Sequence, residues 1–149
     1  MRNYIFGGLI LIWLVSTAGS CNNNTEIFST TPEINIVSVN PTSVKAYSQP
    51  ILVTIGYKDG DGDLGFFDPD EYSIMVKDSR LSVEDEYHLH PLAPTDATVP
   101  IQGEIELELH KTFLLGTGGS ETITYQIRLR DRAGHWSNVV TTPSITITP

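Results

Sequence analysis

Beyond Pro32, apolar and polar residues alternate along most of the chain, and a period of two marks extended strands with one buried face. The clearest run sets Ile105, Leu107 and Leu109 against Glu104, Glu106 and Glu108. A helix would put Leu107 opposite the other two, so the run reads as a strand. Ile123, Tyr125, Ile127 and Leu129 alternate in the same way with Thr122, Thr124, Gln126, Arg128 and Arg130. Ile51, Val53, Ile55 and Tyr57 form a third row after Pro50, and Tyr72, Ile74 and Val76 a fourth. Weaker strands are expected over Ile34 to Val39, Glu86 to His90 and Val139 to Thr148, the last interrupted by Pro143 as suits an edge or a bulge. Seven strands separated by Gly, Pro, Asn and Asp predict an all-β fold, a seven-stranded antiparallel sandwich.

The start of the chain has a different pattern. Arg2 precedes an apolar run from Ile5 to Val15, broken only by two glycines, and Ser16 to Ser20 are small residues before Cys21. These are the three parts of an export signal, and the run is shorter than the roughly 20 residues a membrane-spanning helix needs. Asn22 to Thr31 is polar and reads as a flexible tether. The expected organisation is a signal peptide over 1–20, a tether over 21–31 and a sandwich domain over 32–149.

Cys21 is the only cysteine, so no disulfide within the chain is possible. Ala18-Gly19-Ser20-Cys21 resembles a lipobox, the site at which bacterial prolipoproteins are acylated on cysteine and cleaved before it. The resemblance implies a lipid anchor on Cys21, and Asn22 after it implies the outer membrane, on its periplasmic or its outer side. Two or more acyl chains give stable anchoring where one does not.

Hydrophobic residues make up 40% of the chain, enough for a real core. The net charge is −9, and loss of Arg2 with the leader makes it one unit more negative. Nucleic acid is a poor partner for such a chain, because phosphate contacts need clustered Lys and Arg. Divalent cations suit it better.

Tyr125-x-Ile127-x-Leu129-x-Asp131-x-Ala133-Gly134-x-Trp136-Ser137 resembles the F-strand and F–G turn of fibronectin type III and related immunoglobulin-like domains. The resemblance implies an immunoglobulin-like sandwich.

Six of the 18 acidic residues fall between Asp59 and Glu71. Calcium takes 6–8 oxygen ligands in flexible geometry, and alternate aspartates on a Gly-rich turn can converge on one ion. Asp59, Asp61 and Asp63 have that spacing, and Asp68 and Asp70 follow as further candidate ligands. The run resembles Asp-x-Asp-x-Asp calcium loops, but Leu64 stands where an EF-hand needs its glycine, Gly65 comes one place late, and no helix is signalled on either side. The expectation is a calcium loop in a β context. The competing reading is a pair of Asp-Gly turns with solvated acids. In a sandwich, the turns after the second and sixth strands share one end, so Asp131 is a further candidate ligand. Its alternative role is to cap the turn before Ala133-Gly134.

His88 and His90 have the spacing of two zinc ligands without an evident third, and read better as a polar strand face. Arg80 and Glu84 to Glu86 read as a solvated connection, and Phe66 and Phe67 as anchors tucked into the sandwich end. No nucleophile elbow, metalloprotease pair or phosphate loop occurs, so a non-catalytic protein is expected. The expected function is a membrane-anchored binding or adhesion module with a protein or glycan partner. The alternatives are a structural accessory of a larger outer-membrane assembly and a glycan-binding accessory, for which Phe66, Phe67 and Trp136 are the candidate contacts.

Overall fold

A computed structural model describes residues 28–110 and 112–149. Cys21, the expected signal peptide and the expected tether as far as residue 27 lie outside it.

The described chain is all-β and sandwich-like. In order the strands are β1 (Glu33–Asn40), β2 (Ser43–Lys45), β3 (Ile51–Asp59), β4 (Ile74–Asp78), β5 (Asp85–Tyr87), β6 (Ile101–Leu109), β7 (Glu121–Ile123), β8 (Tyr125–Leu129), β9 (Val140–Thr141) and β10 (Ile145–Thr148). They form three sheets with orders β1-β3-β6, β2-β10-β7 and β5-β4-β8-β9.

The alternating rows set the inward faces. Ile51, Val53 and Ile55 of β3 pair with Leu109, Leu107 and Ile105 of β6. Across the core, Ile74 and Val76 of β4 pair with Leu129 and Ile127 of β8. Both sets, with Ile34, Val44, Ile123, Ile145 and Ile147, belong to one buried hydrophobic cluster. Leu107 and Ile127, decisive for the period-two reading, are 6% and 0% exposed. Burial of a side chain of this size stabilises by about 1.5–3 kcal/mol.

Three features depart from the expected seven antiparallel strands. First, β2 is an additional strand, and it runs parallel to β10, pairing Val44 with Ile147. Second, the row from Thr122 to Arg130 divides at Thr124, because β7 pairs with β10 whereas β8 pairs with β4 and β9. Third, Pro143 divides the last expected strand into β9 and β10. Beside that break, Thr142 Oγ1 accepts the Tyr125 N–H at 2.9 Å. A register shift between Ile36 and Ser38 bulges β1 and leaves Val37 exposed.

Arg80 is not solvated as expected. Its side chain is 12% exposed and pairs with Asp78 and Glu121. Nη1 donates to the Phe113 carbonyl at 2.9 Å, and the guanidinium lies 5.0 Å from the Phe113 ring centroid. Beside this network the buried Tyr125 hydroxyl is pushed up to about 12, first by burial and then by the negative charge of Asp78.

Candidate metal centre

The inward row of β3 runs Ile51, Val53, Ile55, Tyr57 and then Asp59, so strand periodicity alone carries a carboxylate into the end of the core. Asp59 is 0% exposed. The chain then turns through Gly60 to Gly65, with Gly62 at φ 73° and Gly65 at φ 85°, backbone that side chains strain to adopt. This turn brings Asp61 and Asp63 back to Asp59: each of the three offers a carboxylate oxygen, and these oxygens lie within 4.8 Å of one another. Oxygens bound to one calcium at 2.3–2.6 Å span at most about 5 Å, so the spread fits a shared ion.

The hydrogen bonding is incomplete in the same place. Asp59 Oδ2 accepts the Asp63 N–H at 3.0 Å, and Asp63 Oδ2 accepts the Ala133 N–H at 3.0 Å. Oδ1 of Asp59, of Asp61 and of Asp63 is buried with no hydrogen-bond partner among the described residues. Burial, followed by the charges of Asp61 and Asp63, lifts Asp59 from the ordinary 3.8 to about 6. Asp63 is also raised, first by burial and then by the charges of Asp131 and Asp61. Buried carboxylates in this state are stabilised by a proton or a cation placed between them.

Asp131 is the corresponding residue of the facing sheet. It extends the inward row Tyr125, Ile127, Leu129, is 0% exposed, and forms a bridge with Leu64. The two turns therefore meet at one end, as expected from the order of the strands. Arg132 N–H donates to the Asp63 carbonyl at 3.1 Å, and Arg132 Nη1 donates to the Gly65 carbonyl at 2.8 Å. The Asp131 carboxylate, however, is engaged by its own turn: Oδ1 accepts the His135 N–H at 2.7 Å and Oδ2 lies 2.9 Å from His135 Nδ1. Its bonds are those of a turn cap, and its charge bears on Asp63.

Asp68 and Asp70 are exposed and are not brought into the group; Asp68 Oδ1 accepts the Asp70 N–H at 3.0 Å in a separate turn. Leu64, in the place an EF-hand gives to glycine, is a core residue at 0% exposure.

No family model, curated protein or solved structure matches the chain. The residues themselves therefore carry the functional reading.

The histidines and aromatics next to the site divide by environment. β5 ends at Tyr87, so His88 and His90 lie beyond the strand expected to carry them, with rings 6.4 Å apart. His88 Nδ1 lies 2.9 Å from the Glu71 carbonyl. Phe66 is half-buried with the Arg130 guanidinium 5.5 Å from its centroid, whereas Phe67 is 64% exposed, contrary to the expectation that both tuck in. The Arg128 guanidinium covers Trp136 at 4.1 Å.

The inward placement of Asp59 and Asp131 was not drawn from the sequence, although its signal was present. Each lies two residues beyond the last apolar member of a period-two row.

Proposed function

We propose that the chain is a non-catalytic envelope lipoprotein, anchored to the outer membrane through Cys21, whose immunoglobulin-like sandwich is a binding or adhesion module with one end fixed by calcium. The anchor rests on the charged, apolar and small-residue sequence that precedes the only cysteine. The immunoglobulin-like reading is supported by the strand orders β1-β3-β6 and β5-β4-β8-β9, together with the Tyr125 to Ser137 motif.

One observation carries the calcium site. Asp59 is buried at the end of a core row, and it, Asp61 and Asp63 each hold a buried oxygen that no donor satisfies. A buried acceptor left unsatisfied costs about 1–3 kcal/mol, so a turn without an ion gives no account of three such oxygens. Oxygen donors alone suit a hard cation, and flexible loop geometry suits calcium over magnesium, which demands a near-ideal octahedron. The ion would lock the turn after β3 to the Asp131–His135 turn, giving partner-facing loops a fixed shape.

Titration calorimetry of calcium into the full chain in detergent tests the site. Saturable heat at one ion per chain is expected, with a dissociation constant in the roughly 10⁻⁴–10⁻³ M range of extracellular calcium modules. Absence of heat, with the chain folded by circular dichroism, would contradict it.

A further inference from the structure

The turn that carries the three aspartates also holds the segment leading back toward Cys21. Gly60, between Asp59 and Asp61, donates its N–H to the Ser29 carbonyl at 2.8 Å. The two backbones are in close contact, since a Cβ on Gly60 would lie 2.5 Å from the Phe28 carbonyl oxygen and 2.7 Å from that of Ser29. Lys58 Nζ stands 5.0 Å from the Phe28 ring centroid. Thr31 N–H donates to Ser29 Oγ at 3.0 Å, and Pro32 is buried. The tether expected to run free to Thr31 is thus docked from Phe28 onward.

The same turn receives a third strand of chain: Val99 N–H donates to the Asp61 carbonyl at 3.2 Å, and Gly62 leaves room for the Val99 carbonyl. One backbone hydrogen bond and one cation–π contact hold a segment weakly by themselves. They hold it only while Gly60 keeps its place, and that place is set by the carboxylates on either side of it.

From this arrangement we infer that the metal at Asp59, Asp61 and Asp63 latches the Phe28–Thr31 segment to the domain. The inference rests on the calcium reading above. With the ion bound, the turn is rigid and the segment lies against Gly60. With the ion removed, three close carboxylates repel, the turn relaxes, and the segment is released. In a chain anchored at Cys21 the latch sets how many residues separate the sandwich from the lipid, so calcium shortens the stalk.

Chymotrypsin cutting after Phe28 reads the latch, because a protease requires locally opened chain. The full chain in detergent is treated with millimolar calcium or with chelator, and the fragment beginning at Ser29 is followed by mass spectrometry. Cleavage roughly tenfold slower in calcium is expected, corresponding to one decade in the local opening equilibrium. Gly60→Ala keeps all three aspartates but displaces the segment, so it is expected to be cut rapidly in both conditions. Hydrogen exchange of the Gly60 amide in the unsubstituted chain gives the same answer without a variant, with slowing in calcium expected. Calcium heat with equal cleavage and equal exchange in both conditions would overturn the latch and leave the metal site standing. Absence of heat would overturn both.

Discussion

Asp59 and Asp131 hold matching places in two facing sheets: each is the next inward position after a row of core side chains, and each is 0% exposed. An aliphatic residue at either place would extend the core by one layer. The chain instead ends both rows in carboxylates, and Asp63 stands between them, donating its N–H to Asp59 Oδ2 and accepting the Ala133 N–H on its own Oδ2. This is an energetically costly way to close a sandwich unless a positive charge enters.

That cost gives Asp61→Asn opposite effects in two conditions. The substitution keeps the size of the side chain and removes a charge that acts on Asp59 and on Asp63. In chelator it is expected to stabilise the domain by about 1 kcal/mol through relief of like-charge repulsion. In calcium it is expected to lose most of the stabilisation the ion gives the unsubstituted chain. Urea unfolding in each condition measures both, and destabilisation in chelator would argue that the carboxylates are held by protein donors instead.

The pH dependence follows from the raised carboxyls. A group whose folded-state value lies above its unfolded one favours the protonated protein, so its contribution is complete at low pH and is lost as pH rises through the folded value. For Asp59 that window runs from about 4 to about 6, and Asp63 acts in the same direction. The metal-free domain is therefore expected to lose stability across this window. With calcium the trend reverses, because the ion requires ionised ligands. Melting temperatures at a series of pH values, with and without chelator, provide the comparison.

At the other end of the molecule, Arg80→Ala is expected to cost about 3 kcal/mol, since it leaves Asp78, 4% exposed, without its countercharge. Arg80→Lys is expected to recover little of it. The guanidinium meets Asp78 through Nε at 3.1 Å and Nη2 at 2.7 Å while Nη1 reaches Phe113 and Glu121, and an ammonium cannot match that fork. Denaturant midpoints of the two variants measure the difference, and a loss below 1 kcal/mol for the alanine variant would show the network to be solvated.

The strands that could be read from the sequence were those whose rows are long and half-buried. Ile51 to Tyr57 and Ile105 to Leu109 alternate over enough residues to fix both type and face, and their pairing matches each inward residue with another. β2 carried no such signal: Ser43-Val44-Lys45 has one apolar residue, and what makes it a strand is β10, which follows a century of residues later. The division at Thr124 was also illegible, because it reflects a change of partner sheet and not a change of pattern.

The site was legible in part for the same reason. Asp59, Asp61 and Asp63 are close in sequence, and their spacing alone predicted convergence. Asp68 and Asp70 share the composition but fall past Leu64 and Gly65, where the chain has already turned into the core and out again. Of the Arg80 partners, Phe113 and Glu121 could not be read locally, since they lie 33 and 41 residues away.

Thermal unfolding of the full chain, with millimolar calcium and with chelator, tests the metal centre most directly. An ion binding the native state alone at about 10 times its dissociation constant adds about 1.4 kcal/mol, which for a domain of this size raises the melting temperature by roughly 5 °C. That rise, together with its loss in Asp59→Asn, is the expected result. Superimposable melting curves in the two conditions would contradict it.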